Sequence, residues 1–208
     1  MRQRTWRMKV ISVARGGQWS VVILREGQQH MQTNGDEEHI DMMQEQRSTP
    51  LVRDAVPSDY AALALISDEV HGLHAAAHPS IFREVGTGHS LPQAYFDDLL
   101  AGEMSTIQVA EIEGAVGGFA IVEVFDAPPF EVVVPRRTVF IASMAITERQ
   151  RRKGLGRALV DAAMAWGRAR GATSLELTVW EFNEDAIAFY ERLGLAPLNR
   201  TMHLALDA

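Results

Sequence analysis

Arg151-Arg152-Lys153-Gly154-Leu155-Gly156-Arg157-Ala158 is the stretch whose reading decides the fold. Before it stands Val139-Phe140-Ile141-Ala142-Ser143-Met144-Ala145-Ile146, rich in β-formers. After it, Leu155, Leu159, Ala162, Ala163 and Trp166 recur at the spacing of one helix face. A strand, a basic loop with glycines and a helix, in that order, build an anion site. The glycines let backbone N–H groups approach the anion with no Cβ in the way, and the helix N-terminus adds partial positive charge. The loop reads as a seat for a pyrophosphate. It is not a Walker loop, because Gly154-Leu155-Gly156-Arg157 lacks the terminal Gly-Lys-Ser/Thr. A dinucleotide-binding loop needs three glycines after the first strand of a βαβ unit, and here there are two, late in the chain.

The second informative stretch is Asn183-Glu184-Asp185-Ala186-Ile187-Ala188-Phe189-Tyr190-Glu191-Arg192-Leu193-Gly194-Leu195. Asn183 suits an N-cap and Gly194 a C′ position, while Ala186, Phe189, Tyr190 and Leu193 share one face. By itself this is a capped amphipathic helix with an aromatic core. It follows a strand-like run, Ser174-Leu175-Glu176-Leu177-Thr178-Val179-Trp180. In this order and at this separation, the two segments resemble the signature motifs of the GNAT family of N-acetyltransferases, over about residue 50 to the C-terminus.

The resemblance implies an α/β (α+β) domain: a twisted, mostly antiparallel sheet flanked by helices and splayed near the cofactor, where the acyl arm enters. It implies acetyl-CoA as cosubstrate and a primary amine as acceptor, joined by direct attack in a ternary complex. By the same resemblance Arg151, Arg152, Lys153, Gly154, Leu155, Gly156, Arg157 and Ala158 surround the pyrophosphate. The backbone of Met144, Ala145 and Ile146 holds the pantetheine and polarises the carbonyl, Asn183 and Ala186 lie near the arm, and Tyr190 is the general acid for sulfur.

The chain departs from the pattern at one place. Many family members carry a glutamate in the strand before the glycine loop, where this chain has Ala142 and Ser143. Substitutes for the base are Glu123, Asp126, Glu181, His71, His74 or His78. A non-catalytic acyl-CoA sensor that has lost its base is therefore the alternative reading. His71, His74 and His78 fall at i, i+3 and i+7, but nothing in this chemistry requires a metal, and no metal site is expected. The run from His74 to Phe82 resembles an acceptor-side segment of bacterial family members, which puts Phe82 near the acceptor.

Composition fits a single domain with an appendage: 208 residues, 47% of them apolar. The absence of cysteine excludes disulfides, cysteine-ligated zinc and a Cys nucleophile. No apolar run is long enough to span a bilayer, and the basic start has too short an apolar stretch behind it for a signal peptide, so cytoplasm is the default expectation. Between 136 and 170 nine basic residues face two acidic ones, a local balance of +7 in a chain of −7. A concentrated basic segment in an acidic protein suits a small polyanion better than nucleic acid, and no aromatics interleave the run 149–157. The partners that the resemblance implies are acetyl-CoA and an amine, with homodimer assembly left open.

Along the chain, β-like runs within residues 1–27 predict a hairpin extension, and the polar stretch 28–49 predicts a linker. The domain, 50–208, should begin with a strand at 51–53, then a helix to about Val70 and a loop through His89. A second helix to about Gly102, a hairpin turning at Glu113-Gly114, and a strand over 137–146 should follow. The glycine loop and its helix, a strand ending at Trp180, the Asn183 helix and a last strand near 202–206 should complete it.

Overall fold

The computed structural model describes residues 49–206. The hairpin expected over 1–27 and nearly all of the linker at 28–49 lie outside the described residues. The elements are β1 (Leu51–Asp54), α1 (Tyr60–Ala77, entered through a one-turn 3₁₀ helix at Pro57–Asp59), α2 (Gln93–Ala101), β2 (Ser105–Ile112), β3 (Ala115–Asp126), β4 (Arg137–Ile146), α3 (Leu155–Arg168), β5 (Ser174–Leu177) and α4 (Glu184–Arg192). The strands form one sheet in the order β1-β2-β3-β4-β5. The first three pairings are antiparallel and β4–β5 is parallel, so the mixed, largely antiparallel sheet read from the sequence is the one formed.

Alternation along the central strands sets the two layers. Ala120, Val122 and Val124 of β3 share a core with Leu155, Leu159, Val160 and Ala163 of α3 and with Ala186 and Tyr190 of α4. Phe119 and Ile121 point the other way, into a core with Leu63, Ile66 and Val70 of α1 and Phe96 and Leu99 of α2. The sheet is therefore covered on both faces.

Three expectations need correction. The first helix does not end near Val70 but runs to Ala77. Ala75, Ala76 and Ala77 are strong helix formers, and the stop comes from Pro79, which drives the residue before it, His78, out of the helical region (φ −136°, ψ 69°). The fifth strand ends at Leu177 rather than Trp180. No strand forms near 202–206; residues 196–206 are exposed without regular structure, Met202, Leu204 and Leu206 included. The alternation of apolar residues there is real, but among the described residues no strand pairs with it, and alternation alone does not stabilise a strand.

Candidate functional site

The site grows from a fork between β4 and β5. Their parallel pairing runs only from Thr138↔Ser174 to Ile141↔Leu177. β4 continues to Ile146 with β3 alone beside it, since β3 stays in register to Gly118↔Ile146. A bulge at this point opposes Ile121 to Ser143 and Val122 to Ile141, which leaves Ala142 as the extra residue on β4. The chain beyond Leu177 turns away into α4, whose cap is built early: Asn183 is fully buried, and its side-chain oxygen accepts the Ala186 N–H at 3.0 Å. Residues 142–146 thus border an opening rather than a strand. Met144 and Ile146 anchor in the core beneath α3 and α4, and Ala145 in the core beneath α1 and α2.

At the end of β4 the chain makes a short 3₁₀ turn (Glu148–Gln150) and enters the basic loop. Arg151 is turned inward, its side chain only 7% exposed, with its guanidinium 3.7 Å from the Glu69 carboxylate and 3.4 Å from the Ile146 carbonyl. Glu69 also accepts the Glu148 N–H at 3.0 Å, so α1, the end of β4 and the loop are fastened together. Arg152 sits in the left-handed region at φ 62°, which costs a non-glycine residue about 1–2 kcal/mol. Gly154, at φ 89°, caps α3. The first helical hydrogen bond runs from the Ala158 N–H to the Gly154 carbonyl at 3.0 Å, and no side chain caps the helix. The N–H groups of Leu155, Gly156 and Arg157 therefore precede the helical ladder.

The two glycines serve different ends. Gly154 is needed for its backbone angle, because a Cβ there would meet only Pro50, at 3.7 Å. Gly156 is needed for space: a Cβ would lie 3.1 Å from Ile146 Cδ1 and 3.2 Å from Phe189 Cζ. It lets the first turn of α3 press against the end of β4 and against α4. Around this turn Lys153 Nζ donates to Gln150 Oε1 at 2.9 Å, and the exposed Arg157 approaches Asp161 at 3.7 Å. The arrangement suits a pyrophosphate: uncapped N–H groups, cations on exposed side chains, and the fork directly alongside.

Tyr190 lies in the same core cluster as Met144, Ile146, Leu155 and Ala186, and is 4% exposed. Burial pushes its phenol well above the ordinary value, so it stays protonated through the neutral range and keeps a proton to donate. Ala158, by contrast, belongs to the first turn of α3 and offers no side chain with chemistry.

The six candidate bases separate clearly. Asp126 is exposed and held by both guanidinium arms of Arg137 at 2.8 Å, which keeps its carboxyl below the ordinary range. Glu181 is exposed and paired with Arg200 at 3.1 Å. His71 donates to the Arg83 carbonyl at 2.6 Å, and the fully buried His74 donates to the Val70 carbonyl at 3.0 Å. His78 packs tilted on Trp180 and edge-on to Phe182, ring centroids 5.0 and 4.7 Å away. Glu123 differs from all of these. Its register partner is Phe140, so its face of the sheet is that of Phe119 and Ile121 and its diagonal neighbour on β4 is Ala142. Partial burial raises its carboxyl above the usual range.

One feature had no signal in the sequence. Asp68 of α1 accepts from His89 Nδ1 at 2.6 Å and from the Ser90 N–H and hydroxyl at 2.7 and 2.8 Å, fastening the loop before α2 to α1. These partners are more than 20 positions apart, beyond any local pattern. Phe82 packs inward against the His74 ring at 4.9 Å and edge-on to Trp180 at 6.1 Å.

A parallel pair of strands that fork, with an uncapped glycine-headed helix at the fork, is the arrangement the motifs anticipated, and the family model described as "Acetyltransferase (GNAT) family" matches residues 68–195. The chain belongs to this family. Among solved structures, this GNAT chain is similar to a variant of the BH1408 protein from Bacillus halodurans, with 30% identity, a TM-score of 0.71, and coverage of 76% of this chain and 99% of that one. It shares its fold with an aminoglycoside N-acetyltransferase, AAC(6′)-Iy in complex with CoA, at 13% identity, a TM-score of 0.52, and coverage of 76% and 99%. A curated relative, an uncharacterized N-acetyltransferase of Lactobacillus delbrueckii subsp. lactis, is 32% identical over 103 residues, 48% of this GNAT chain. The match spans 58% of that relative's length. Among the described residues no helix is long and apolar enough to cross a membrane.

Proposed function

We propose that this chain transfers an acetyl group from acetyl-CoA to a primary amine, by direct attack within a ternary complex. The observation that carries the reading is the fork: unpaired β4 backbone, the uncapped start of α3 and the buried, protonated Tyr190 adjoin one another. In this reading the N–H groups of Leu155, Gly156 and Arg157, with Arg152 and Lys153, receive the pyrophosphate. Arg151 holds the loop in shape through Glu69 rather than touching phosphate. The backbone of residues 142–146 binds the arm as a missing strand would be bound.

The amine must lose a proton, and Glu123 is the carboxylate best suited to take it. It sits diagonal to Ala142, the position where the family often carries glutamate, and its raised affinity for protons makes it a stronger base than an exposed carboxylate. A water spans the remaining distance. The amine nitrogen bonds to the thioester carbon, the C–S bond breaks, the departing sulfur takes the Tyr190 proton, and the proton shed by the new amide nitrogen restores the phenol. Backbone N–H groups near Met144 and Ala145 stabilise the developing oxyanion.

Acetyl-CoA at 100 times its dissociation constant should stabilise the native state by about 2.7 kcal/mol, an upward melting shift of roughly 5–10 °C for a domain of this size. No shift with acetyl-CoA or longer acyl-CoAs would sink the proposal. Free CoA should then appear only when an amine from a panel is added. A thermal shift without thiol release on any amine would leave an acyl-CoA sensor in place of an enzyme.

A further inference from the structure

Among the described residues, two buried side-chain polar atoms have no hydrogen-bond partner, Gln108 Oε1 and the indole Nε1 of Trp180. Gln108 lies in β2 with Asp54 and Ala120 as register partners, in the body of the sheet. Trp180 lies at the fork. It stands three residues beyond Leu177, as Met144 stands three beyond Ile141, the last paired positions of β5 and β4. Its ring packs on the core that contains Met144, Ala186 and Tyr190. A buried N–H without an acceptor costs roughly 1–3 kcal/mol, so its presence at this point calls for a partner that arrives from outside.

The ring cannot easily turn to find one. His78 stacks on it at 5.0 Å with planes 31° apart, Phe182 lies at 5.8 Å and 38°, and Phe82 meets it edge-on at 6.1 Å. The Trp180 carbonyl accepts the Asn183 N–H at 2.9 Å, tying the backbone to the cap of α4. The donor is thus fixed in direction before any ligand binds. Beyond Leu177 the chain no longer runs alongside β4, so β5 supplies no backbone groups to that side of the opening. Whatever lies extended in the fork finds strand backbone on the β4 side only, and Trp180 follows the end of β5 on the other.

Donor chemistry selects the ligand group. An indole N–H only donates, and so does the ammonium form in which an amine acceptor arrives; the two cannot pair. An ammonium would seek a face of the ring rather than its N–H edge. The pantetheine arm of an acyl-CoA carries amide carbonyls along an extended chain, and an amide carbonyl is the acceptor that the orphan donor lacks. We propose that the Trp180 indole N–H is a positioning donor for an amide carbonyl of the acyl-CoA arm, replacing the ladder bond that β5 would have made. The proposal rests on the acyl-CoA reading of the fork.

Trp180→Phe keeps an aromatic ring and deletes the N–H. Three measurements test it: calorimetric titration with acetyl-CoA, titration with adenosine 3′,5′-bisphosphate, which lacks the arm, and the melting temperature without ligand. The expected result is a 3–10-fold weaker affinity for acetyl-CoA, unchanged affinity for the bisphosphate, and a ligand-free melting temperature equal to or above that of the parent. Equal acetyl-CoA affinity in the two proteins overturns the proposal, and so does a parallel loss for both ligands. Should the variant fail to fold, the indole ¹H–¹⁵N resonance of Trp180 in the parent protein decides. It should move downfield with acetyl-CoA and stay in place with the bisphosphate; a downfield position already present without ligand means that water is the partner and overturns the idea. If the parent protein binds no acyl-CoA at all, the proposed function itself falls, a result distinct from any of these.

Discussion

Glu123 and Tyr190 show how burial assigns opposite tasks to two titratable groups on the two faces of one sheet. Burial raises both. For the phenol this secures the proton it is proposed to give, and for the carboxylate it strengthens the grip on the proton it is proposed to take. Tyr190→Phe preserves the packing and removes the donor, so turnover should fall by roughly 10²–10⁴-fold with acetyl-CoA affinity nearly intact; full activity would reduce Tyr190 to core packing. Glu123→Gln should remove the acidic limb of kcat/KM, which in the parent protein should lie above the pH of an ordinary carboxylate. The same substitution has a signature in stability. A carboxyl whose folded-state pKa is raised binds more protons folded than unfolded, so its contribution is full at low pH and is lost as pH rises through the folded value. Glu123→Gln should therefore melt higher than the parent at neutral pH, with the difference vanishing below pH ~4. A variant that melts lower at neutral pH, with its acidic limb intact, would remove Glu123 from both roles. None of this burial was legible in the sequence, where Glu123 stood level with five other candidates. The inward turn of Arg151 was equally hidden, because its partner Glu69 is 82 positions away on another element.

At the scale of elements, what the sequence carried best was local chemistry. The Asn183 cap, the Gly154 turn and the hairpin at Glu113-Gly114, both residues at positive φ, are each fixed by residues a few positions apart, and each forms. What it carried poorly were ends that depend on distant neighbours. β5 stops at Leu177 while β4 continues to Ile146 beside β3, and among the described residues the alternating tail has no ladder. Histidine and glycine are weak helix formers, yet α1 runs on through His71, Gly72 and His74, with His74 buried in the packed layer. The start of α3 yields a prediction that sequence reasoning alone would have assigned to the wrong cause. Gly156→Val should lower the melting temperature of the ligand-free protein, by about 1–3 kcal/mol of stability, because the new atoms press on Ile146 and Phe189. Blocked access to phosphate would instead leave the ligand-free protein unchanged and weaken acetyl-CoA alone, and thermal melts with and without acetyl-CoA separate the two.

Over the whole molecule, charge is segregated in a way that single contacts do not express. Residues 136–170 carry a balance of +7 within a chain of −7, so the rest amounts to −14. An anionic cosubstrate is drawn towards the segment that holds the fork and repelled elsewhere, while a cationic amine is drawn to the remainder. Long-range attraction of this kind is screened over about 8–10 Å at ordinary ionic strength, so acetyl-CoA affinity should fall steadily as salt is raised. Arg152 and Lys153 are exposed cations just before the uncapped helix start, while Arg151 is already engaged with Glu69. Changing Arg152 and Lys153 together to alanine should weaken acetyl-CoA binding far more than it alters turnover, and should flatten the salt dependence. Changing Arg168, in the last turn of α3 at the opposite end of the helix, should do much less. Calorimetric titrations of the three proteins across a salt series test this directly. Equal affinities and equal salt slopes in the double variant and the parent would mean that the basic run only decorates the surface, and that the helix N-terminus acts alone.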